Sequence, residues 1–292
     1  METLRLGWLG RPLVERKGRP VKLETRKAAA LLSYLSLVPG QSQREIVATL
    51  FWPEGSQQKA LANLRRTLAS LNASLPGWIE ADHETISLKR NAKLWVDVDE
   101  LHRLLSQYKE HDHPGNEICD ACLLVLDRIV KLYRGDFLEG LNLSDCPDFD
   151  EWQFFLRDGL RQEFAEVLKR VSSGYADRGQ WDKAISCGRR WLALDRLHEP
   201  AARLLIDLYA RSGQRNAALR QYEELAQLLN EQLGQEPEPE TRRLYDQVRG
   251  REEAKSTAGS SLHSASFPLL KTKLYQPNDL KPVVRPDFPP EK

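Results

Sequence analysis

Cysteine is scarce in this chain, with four in 292 residues. Four thiols cannot staple a chain of this length, which excludes a disulfide-framework scaffold. Long apolar runs are missing too. None approaches the ~18 residues of a membrane helix, and the mean hydropathy is −0.54, so no membrane partner is expected. Met1-Glu2-Thr3-Leu4-Arg5 leads into alternation rather than a signal-peptide core, and a cytoplasmic location is the expectation. No Gly-rich phosphate loop, nucleophile elbow or HExxH is present, so neither an enzyme nor a cofactor is expected. Cys119-Asp120-Ala121-Cys122 is a CxxC with His111 and His113 just upstream. A zinc site needs four convergent ligands, and no second pair stands at finger-like spacing. The two cysteines read more simply as small buried residues at i, i+3 on an amphipathic helix, with no metal, and 111–115 as a loop.

Net charge is nearly absent, at +1, but its distribution is uneven. Residues 1–96 hold 15 Lys/Arg against 8 Asp/Glu, a surplus of +7, which leaves −6 for the remainder. A basic N-terminal part joined to an acidic one suits a nucleic-acid reader with a protein-binding partner.

The stretch 42–75 organises that basic part. Ser42-Gln43-Arg44-Glu45 fits a capping box. Ile46, Val47, Leu50 and Phe51 follow as an apolar run that stops at Trp52-Pro53-Glu54-Gly55. A second helix then runs from Ser56 to Pro76-Gly77, with Leu61, Leu64, Leu68 and Leu71 as its buried stripe. The opposite face carries Lys59, Ala62, Asn63, Arg66 and Ser70, with Arg65 on the flank and no carboxylate. Cations can neutralise phosphate or bind guanine, and Asn can pair with adenine. A plain solvated face has the same composition, so the surroundings must decide.

Those surroundings read as a winged helix. Leu4, Leu6 and Trp8 alternate with polar or small residues. A Lys17-Gly18-Arg19-Pro20 turn leads into Val21-Lys22-Leu23, the end of a hairpin. Thr25 can cap a helix from Arg26 to Val38. Residues 78–81 and 85–88 flank Asp82-His83-Glu84 as a wing hairpin, with Lys89, Arg90 and Lys93 near it to meet phosphate. Beyond residue 96 the chain reads as helical: 97–108, 118–133 and 152–173. A 34-residue repeat follows, with Tyr175, Ala176, Gly179, Gln180 and Ala184 recurring as Tyr209, Ala210, Gly213, Gln214 and Ala218. That period is the tetratricopeptide one. Trp181, Trp191 and Tyr222 read as core. Residues 240–249 form a last helix, and 254–266 a flexible linker before a Pro-rich tail. The fold class is therefore mostly α with a small β part. A winged helix-turn-helix of response-regulator output type (1–96) precedes a helical repeat domain (97–250) and a tail (251–292).

Taken together, these segments resemble the Streptomyces antibiotic regulatory proteins, a winged helix followed by a bacterial transcriptional activator domain. The resemblance covers roughly 3–250. In the first half it rests on Leu-Gly-Trp-Leu-Gly (6–10), Gly-Arg-Pro-Val (18–21), Lys-Ala-Ala-Ala-Leu-Leu-Ser-Tyr-Leu (27–35), Leu-Phe-Trp-Pro (50–53) and Leu-Trp-Val-Asp-Val (94–98). In the second it rests on Tyr-Arg-Gly-Asp-Phe-Leu-Glu-Gly-Leu (133–141), Trp152, Leu-Asp-Arg-Leu-His-Glu-Pro-Ala (194–201), Tyr209 to Tyr222, and Leu-Gly-Gln-Glu-Pro-Glu-Pro-Glu-Thr (233–241). The resemblance implies an activator that binds double-stranded DNA as a homodimer on direct repeats. Its helix 57–75 would enter the major groove through Lys59, Asn63 and Arg66, and Trp52, Pro53 and Glu54 would touch RNA polymerase. The adaptor alternative has the repeats bind a partner and the winged helix dock protein; the +7 of residues 1–96 is a feature it does not need. Residues 269–277 and 283–286 resemble the opening of the ATPase module of maltose-activator-type regulators. The phosphate loop of that module is not in the sequence, which leaves a fragment of a longer regulator or a lost module as the two expectations.

Overall fold

Period-2 alternation makes the first sheet. In the computed structural model, which describes residues 3–111 and 118–260 (side chains to 250), Leu4–Gly7 (β1) pairs antiparallel with Leu13–Arg16 (β2), and β2 with Arg19–Pro20 (β3). Leu4 and Leu6 are fully buried while Arg5 between them faces out. The turn is Lys17-Gly18 alone, at φ 53° and 72°, as a two-residue hairpin with right-handed strand twist requires. Arg19 and Pro20 are therefore strand, not turn. Helix α1, Arg26–Leu37, starts as expected, with the Thr25 hydroxyl accepting the Ala28 N–H at 3.0 Å.

The capping box does not form. Ser42–Gln43 (β4) is a short strand on the wing, and α2 is only Arg44–Phe51, capped by Gln43 without a side-chain bond. Ser42 pairs with Ile86, and the Arg44 N–H reaches the Glu84 carbonyl at 2.8 Å. Tertiary strand pairing has drawn off the residues that local pattern offered as a cap. Val47, Ala48 and Phe51 are buried, whereas Ile46 is 57% exposed. Helix α3, Gln57–Ser74, begins at Ser56, whose hydroxyl takes the Lys59 N–H at 3.5 Å. Its buried stripe is Ala60, Leu64, Leu68 and Leu71. Leu61 is half-buried, because the stripe sits one position earlier than the leucines alone indicate. Ile79–Ala81 (β5) and Thr85–Leu88 (β6) form the wing. Leu94–Val96 (β7) then joins the first sheet parallel to β1, giving the order β3-β2-β1-β7.

Among the described residues seven helices follow: α4 (Asp97–Glu110), α5 (Asp120–Leu132), α6 (Pro147–Asp177), α7 (Trp181–Leu194), α8 (Glu199–Arg211), α9 (Arg215–Leu233) and α10 (Pro239–Ser260). Consecutive helices from α4 to α9 pack on one another. The repeat is visible as two equivalent turns. Gly179 and Gly213 are left-handed, at φ 66° and 81°. The N–H of Gln180 bonds the Tyr175 carbonyl at 2.9 Å, and that of Gln214 the Tyr209 carbonyl at 2.8 Å. A third left-handed glycine, Gly234, caps α9. Trp191 is buried; Trp181 and Tyr222 are half-buried, with Tyr222 stacked on Tyr245 at 4.1 Å. Helix α10 runs through residues 254–260, which the sequence reading made linker. That run has no proline and has good helix formers at Ala254 and Lys255. The rest of the linker, the Pro-rich tail, the ATPase-like segment and His113 lie outside the described residues. Residues 1–248 form one compact unit and 249–292 a second. Among the described residues no helix is long and apolar enough to cross a membrane.

Within the first unit, the winged part and the helical part share a core. Asp97, 1% exposed at the start of α4, accepts the N–H groups of Trp8 at 2.9 Å and Leu9 at 2.8 Å. Burial pushes its carboxyl above the usual range, while those two N–H bonds and Arg134, at 3.6 Å, pull it back. Asp97→Ala leaves two buried donors without an acceptor, at about 1–3 kcal/mol each. It is expected to destabilise the chain by about 2–4 kcal/mol in urea unfolding; a change under about 0.5 kcal/mol would remove Asp97 from the joint. His102 on α4 meets Glu163 on α6 at 3.3 Å. The Glu163 hydrogen bond raises the imidazole pKa more than burial lowers it. A raised folded pKa adds stability below the unfolded value and loses it as pH rises through the folded one. His102→Gln should therefore be less stable than the parent by no more than about 1 kcal/mol near pH ~5.5, the pair being half exposed, and equal to it by pH ~8.5. A pH-independent difference in melting temperature would contradict this.

Candidate nucleic-acid interface

Helix α3 buries Ala60, Leu64, Leu68 and Leu71 and turns its other side out. Lys59, Arg65 and Arg66 are exposed, and Ala62, Asn63 and Ser70 are half-exposed. At 100° per residue, Lys59, Asn63, Arg66 and Ser70 fall within one narrow stripe. The stripe is not free of acid, however. Glu24, just before α1, accepts the Ser70 hydroxyl at 2.7 Å. The expectation of a face without a carboxylate held for the helix and fails for its neighbour, which lies 46 residues away in sequence. No local pattern joins the two. The charge gradient along the stripe is therefore uneven, with cations at Lys59 to Arg66 and an anion beside Ser70.

The turn before α3 is held from behind. Lys27 on α1 donates to the Phe51 carbonyl at 2.7 Å, pairs with Asp145 at 2.7 Å and lies 5.2 Å over the Trp52 ring. The same carbonyl accepts the Cys146 thiol at 3.1 Å. Burial pushes that thiol up to about 11, so it keeps the proton it donates. Phe51 meets Phe149 at 5.0 Å, Phe149 meets Trp152 at 5.3 Å, and Tyr34 meets Trp152 at 5.2 Å. Trp52 is thus part of this seam, half-buried against Phe51 and Lys27. Pro53 and Glu54 stand at the rim of a recess of about 200 Å³ that Lys59 and Asn63 also line. Sequence reasoning missed Lys27, Asp145 and Cys146. Of the three, Lys27 alone opens a segment that the sequence marks, Lys-Ala-Ala-Ala, and local pattern gives it no partner.

The wing is less basic than its flanks suggest. Its tip is Asp82-His83-Glu84, all exposed. The N–H groups of Thr85 and Glu84 hold the Asp82 carboxyl below its usual range, so the tip is anionic at neutral pH. Lys89 is exposed, 3.8 Å from Glu80. Arg90 is engaged within the protein, donating to the Ser36 carbonyl and pairing with Asp99 at 3.1 Å, which fixes the end of α1 to α4. Of the cations chosen from sequence, Lys59, Arg65 and Arg66 stand together on α3, Lys89 stands apart on the wing, and Arg90 braces the fold.

A winged helix-turn-helix fused to a tetratricopeptide-like stack defines a class of bacterial regulators. The bacterial transcriptional activator domain model matches residues 96–249, and the chain belongs to that family, with the Streptomyces antibiotic regulatory protein arrangement. It is 25% identical to regulatory protein AfsR of Streptomyces coelicolor over 253 residues, 84% of this chain and 24% of that protein. The chain therefore spans about a quarter of the length of that relative. The fold is similar to that of Mycobacterium tuberculosis EmbR, solved in complex with a low-affinity phosphopeptide. The TM-score is 0.60 at 18% identity, covering 90% of this chain and 70% of that one.

Glu24 supplies a test of the face. Glu24→Gln removes the carboxylate that would oppose phosphate, and is expected to tighten binding to any duplex roughly two- to fivefold at low salt. Unchanged affinity by fluorescence anisotropy would place Glu24 outside the field of bound DNA.

Proposed function

We propose that the chain is a sequence-specific DNA-binding transcriptional activator in which α3 enters the major groove. Lys59, Asn63 and Arg66 reach base edges or the phosphates beside them, and Arg65 and Lys89 meet phosphate. Two copies bind direct repeats, and the rim formed by Pro53 and Glu54 faces RNA polymerase. The cell compartment is the cytoplasm, where the promoter is. The observation that carries this reading is the outward-facing stripe of exposed Lys59 and Arg66 with half-exposed Asn63, on an 18-residue helix whose other side is anchored by four buried residues. A rigid cationic and amide face in the basic part of the chain is what groove recognition requires. Membership in the activator-domain family supports it.

A second reading has its own observation. A groove of about 490 Å³ between α7, α8 and α9 is lined by Arg189, Arg196 and Arg220 together with Glu224, Gln221 and apolar side chains, so its cations outnumber its one carboxylate. In this adaptor reading the groove takes an acidic peptide and the winged helix docks protein.

The separating experiment is an anisotropy titration of parent and Arg66→Ala with the duplex upstream of the protein's own gene and with a scrambled one, at two salt concentrations. The first reading expects preference for the natural duplex at the higher salt. It also expects Arg66→Ala to lose ~1–3 kcal/mol of specific binding with the fold intact. Equal binding of both duplexes, abolished by salt, would leave electrostatics alone and put the adaptor reading first. Unchanged operator affinity in Arg66→Ala would remove Arg66 from the reading face.

A further inference from the structure

We propose that His111, Cys119 and Cys122 form a binding site for a thiophilic divalent cation of the zinc class, clipping the end of α4 to the start of α5. The CxxC has no second cysteine pair in sequence, but it does not need one. The fold returns His111, the residue after α4, to the cysteines at the head of α5. Its Nδ1 lies 3.0 Å from Cys122 Sγ and 3.6 Å from Cys119 Sγ. All three donor atoms lie within 4.8 Å of one another. Tetrahedral zinc, with bonds of ~2.3 Å to sulfur and ~2.0–2.1 Å to nitrogen, separates its ligands by about 3.6–3.8 Å. The Cys119–His111 edge already has that length, and the Cys122–His111 edge must open by about half an ångström.

The surroundings of the sulfurs point the same way. Cys119 is not the buried helix residue its spacing implied but the N-cap of α5, half-exposed, with its Sγ accepting the Cys122 N–H at 3.4 Å. An amide donated to a ligating sulfur is the outer-shell contact that tunes metal thiolates. The turn is rigidly mounted. Arg178 at the end of α6 donates to the Ile118 carbonyl at 2.6 Å and to Asp120 at 2.9 Å. Gly174 lets α5 come close, since a Cβ there would meet Leu123 at 3.2 Å. His111 is exposed, so a hydrated cation has an approach, while Cys122 is buried and gives the site a dry floor. Two thiolates and an imidazole select zinc over magnesium or calcium. Among the described residues these three donors are the ones that converge. The other cysteines stand elsewhere, Cys146 on the Phe51 carbonyl and Cys187 buried in α7, so a sulfur–metal signal is assignable.

The test is a Co²⁺ titration of the reduced, chelator-treated full chain, followed by displacement with Zn²⁺. The expected result is one equivalent of Co²⁺ with a thiolate-to-cobalt charge-transfer band and intense tetrahedral visible bands, both abolished by Zn²⁺. Loss of an outer-shell partner alone weakens metal sites about 10–100-fold. Cys119→Ser and His111→Ala should each raise the Kd by about 100-fold or more. His111 is exposed, so its variant keeps the fold, checked by circular dichroism. Absence of the charge-transfer band in the parent, or a band undiminished in both variants, would overturn the site.

Discussion

The carboxylate of Asp97 is the point through which the two parts of the molecule are joined. It sits where β7 becomes α4, and it closes on the backbone of Trp8 and Leu9 just past β1. The parallel β1–β7 pairing brings it there. Arg134 approaches the same carboxylate from the segment between α5 and α6. Gly7 leaves room for the Arg134 guanidinium at this crossing, since a Cβ there would stand 2.7 Å from it and push it aside. Around it the backbone of 8–10 exchanges bonds with 136–139: the Gly10 N–H with the Asp136 carbonyl, the Leu138 N–H with the Trp8 carbonyl, and the Glu139 N–H with the Gly10 carbonyl. Leu138 is held left-handed at φ 52° and wholly buried, a conformation a leucine keeps only where its surroundings over-determine it.

The consequence reaches α3. Once 134–141 is fixed to the first sheet, the chain enters α6 beside α1 and α2. Phe149 and Trp152 then meet Phe51 and Tyr34, and Lys27 and Cys146 share the Phe51 carbonyl. Phe51 is the last residue of α2, and α3 begins after the short turn that follows. The helical part therefore holds the Phe51 end of the turn that precedes α3. A winged helix tethered by a linker alone would have no such hold.

Local chemistry was legible in the sequence and long-range pairing was not. Thr25 and Ser56 cap helices as their side chains dictate. Gly179 and Gly213 take the left-handed turns that a 34-residue repeat needs, and residues 79–88 make the wing. Four departures share one cause, a partner distant in sequence. Ser42 was lost from its capping box to β6, Arg90 from the wing to Ser36 and Asp99, and Ser70 from the open face to Glu24. His111 came to the CxxC across the end of α4. The one-step shift of the α3 stripe from Leu61 to Ala60 is different: the inward side is chosen by close packing, in which an alanine is buried and a leucine left half-exposed. For the candidate site, residue types and their helix were readable, while the acid beside them and the seam behind them were not.

We propose α3, held by this joint, as the surface that meets DNA. It is tested most directly by amide chemical-shift mapping of the isotopically labelled chain on addition of the natural upstream duplex at moderate salt. The largest shifts are expected on Lys59, Asn63 and Arg66, with smaller ones at Lys89 and none along the α7–α9 groove. Shifts confined to that groove around Arg189, Arg196 and Arg220, with α3 silent, would contradict it.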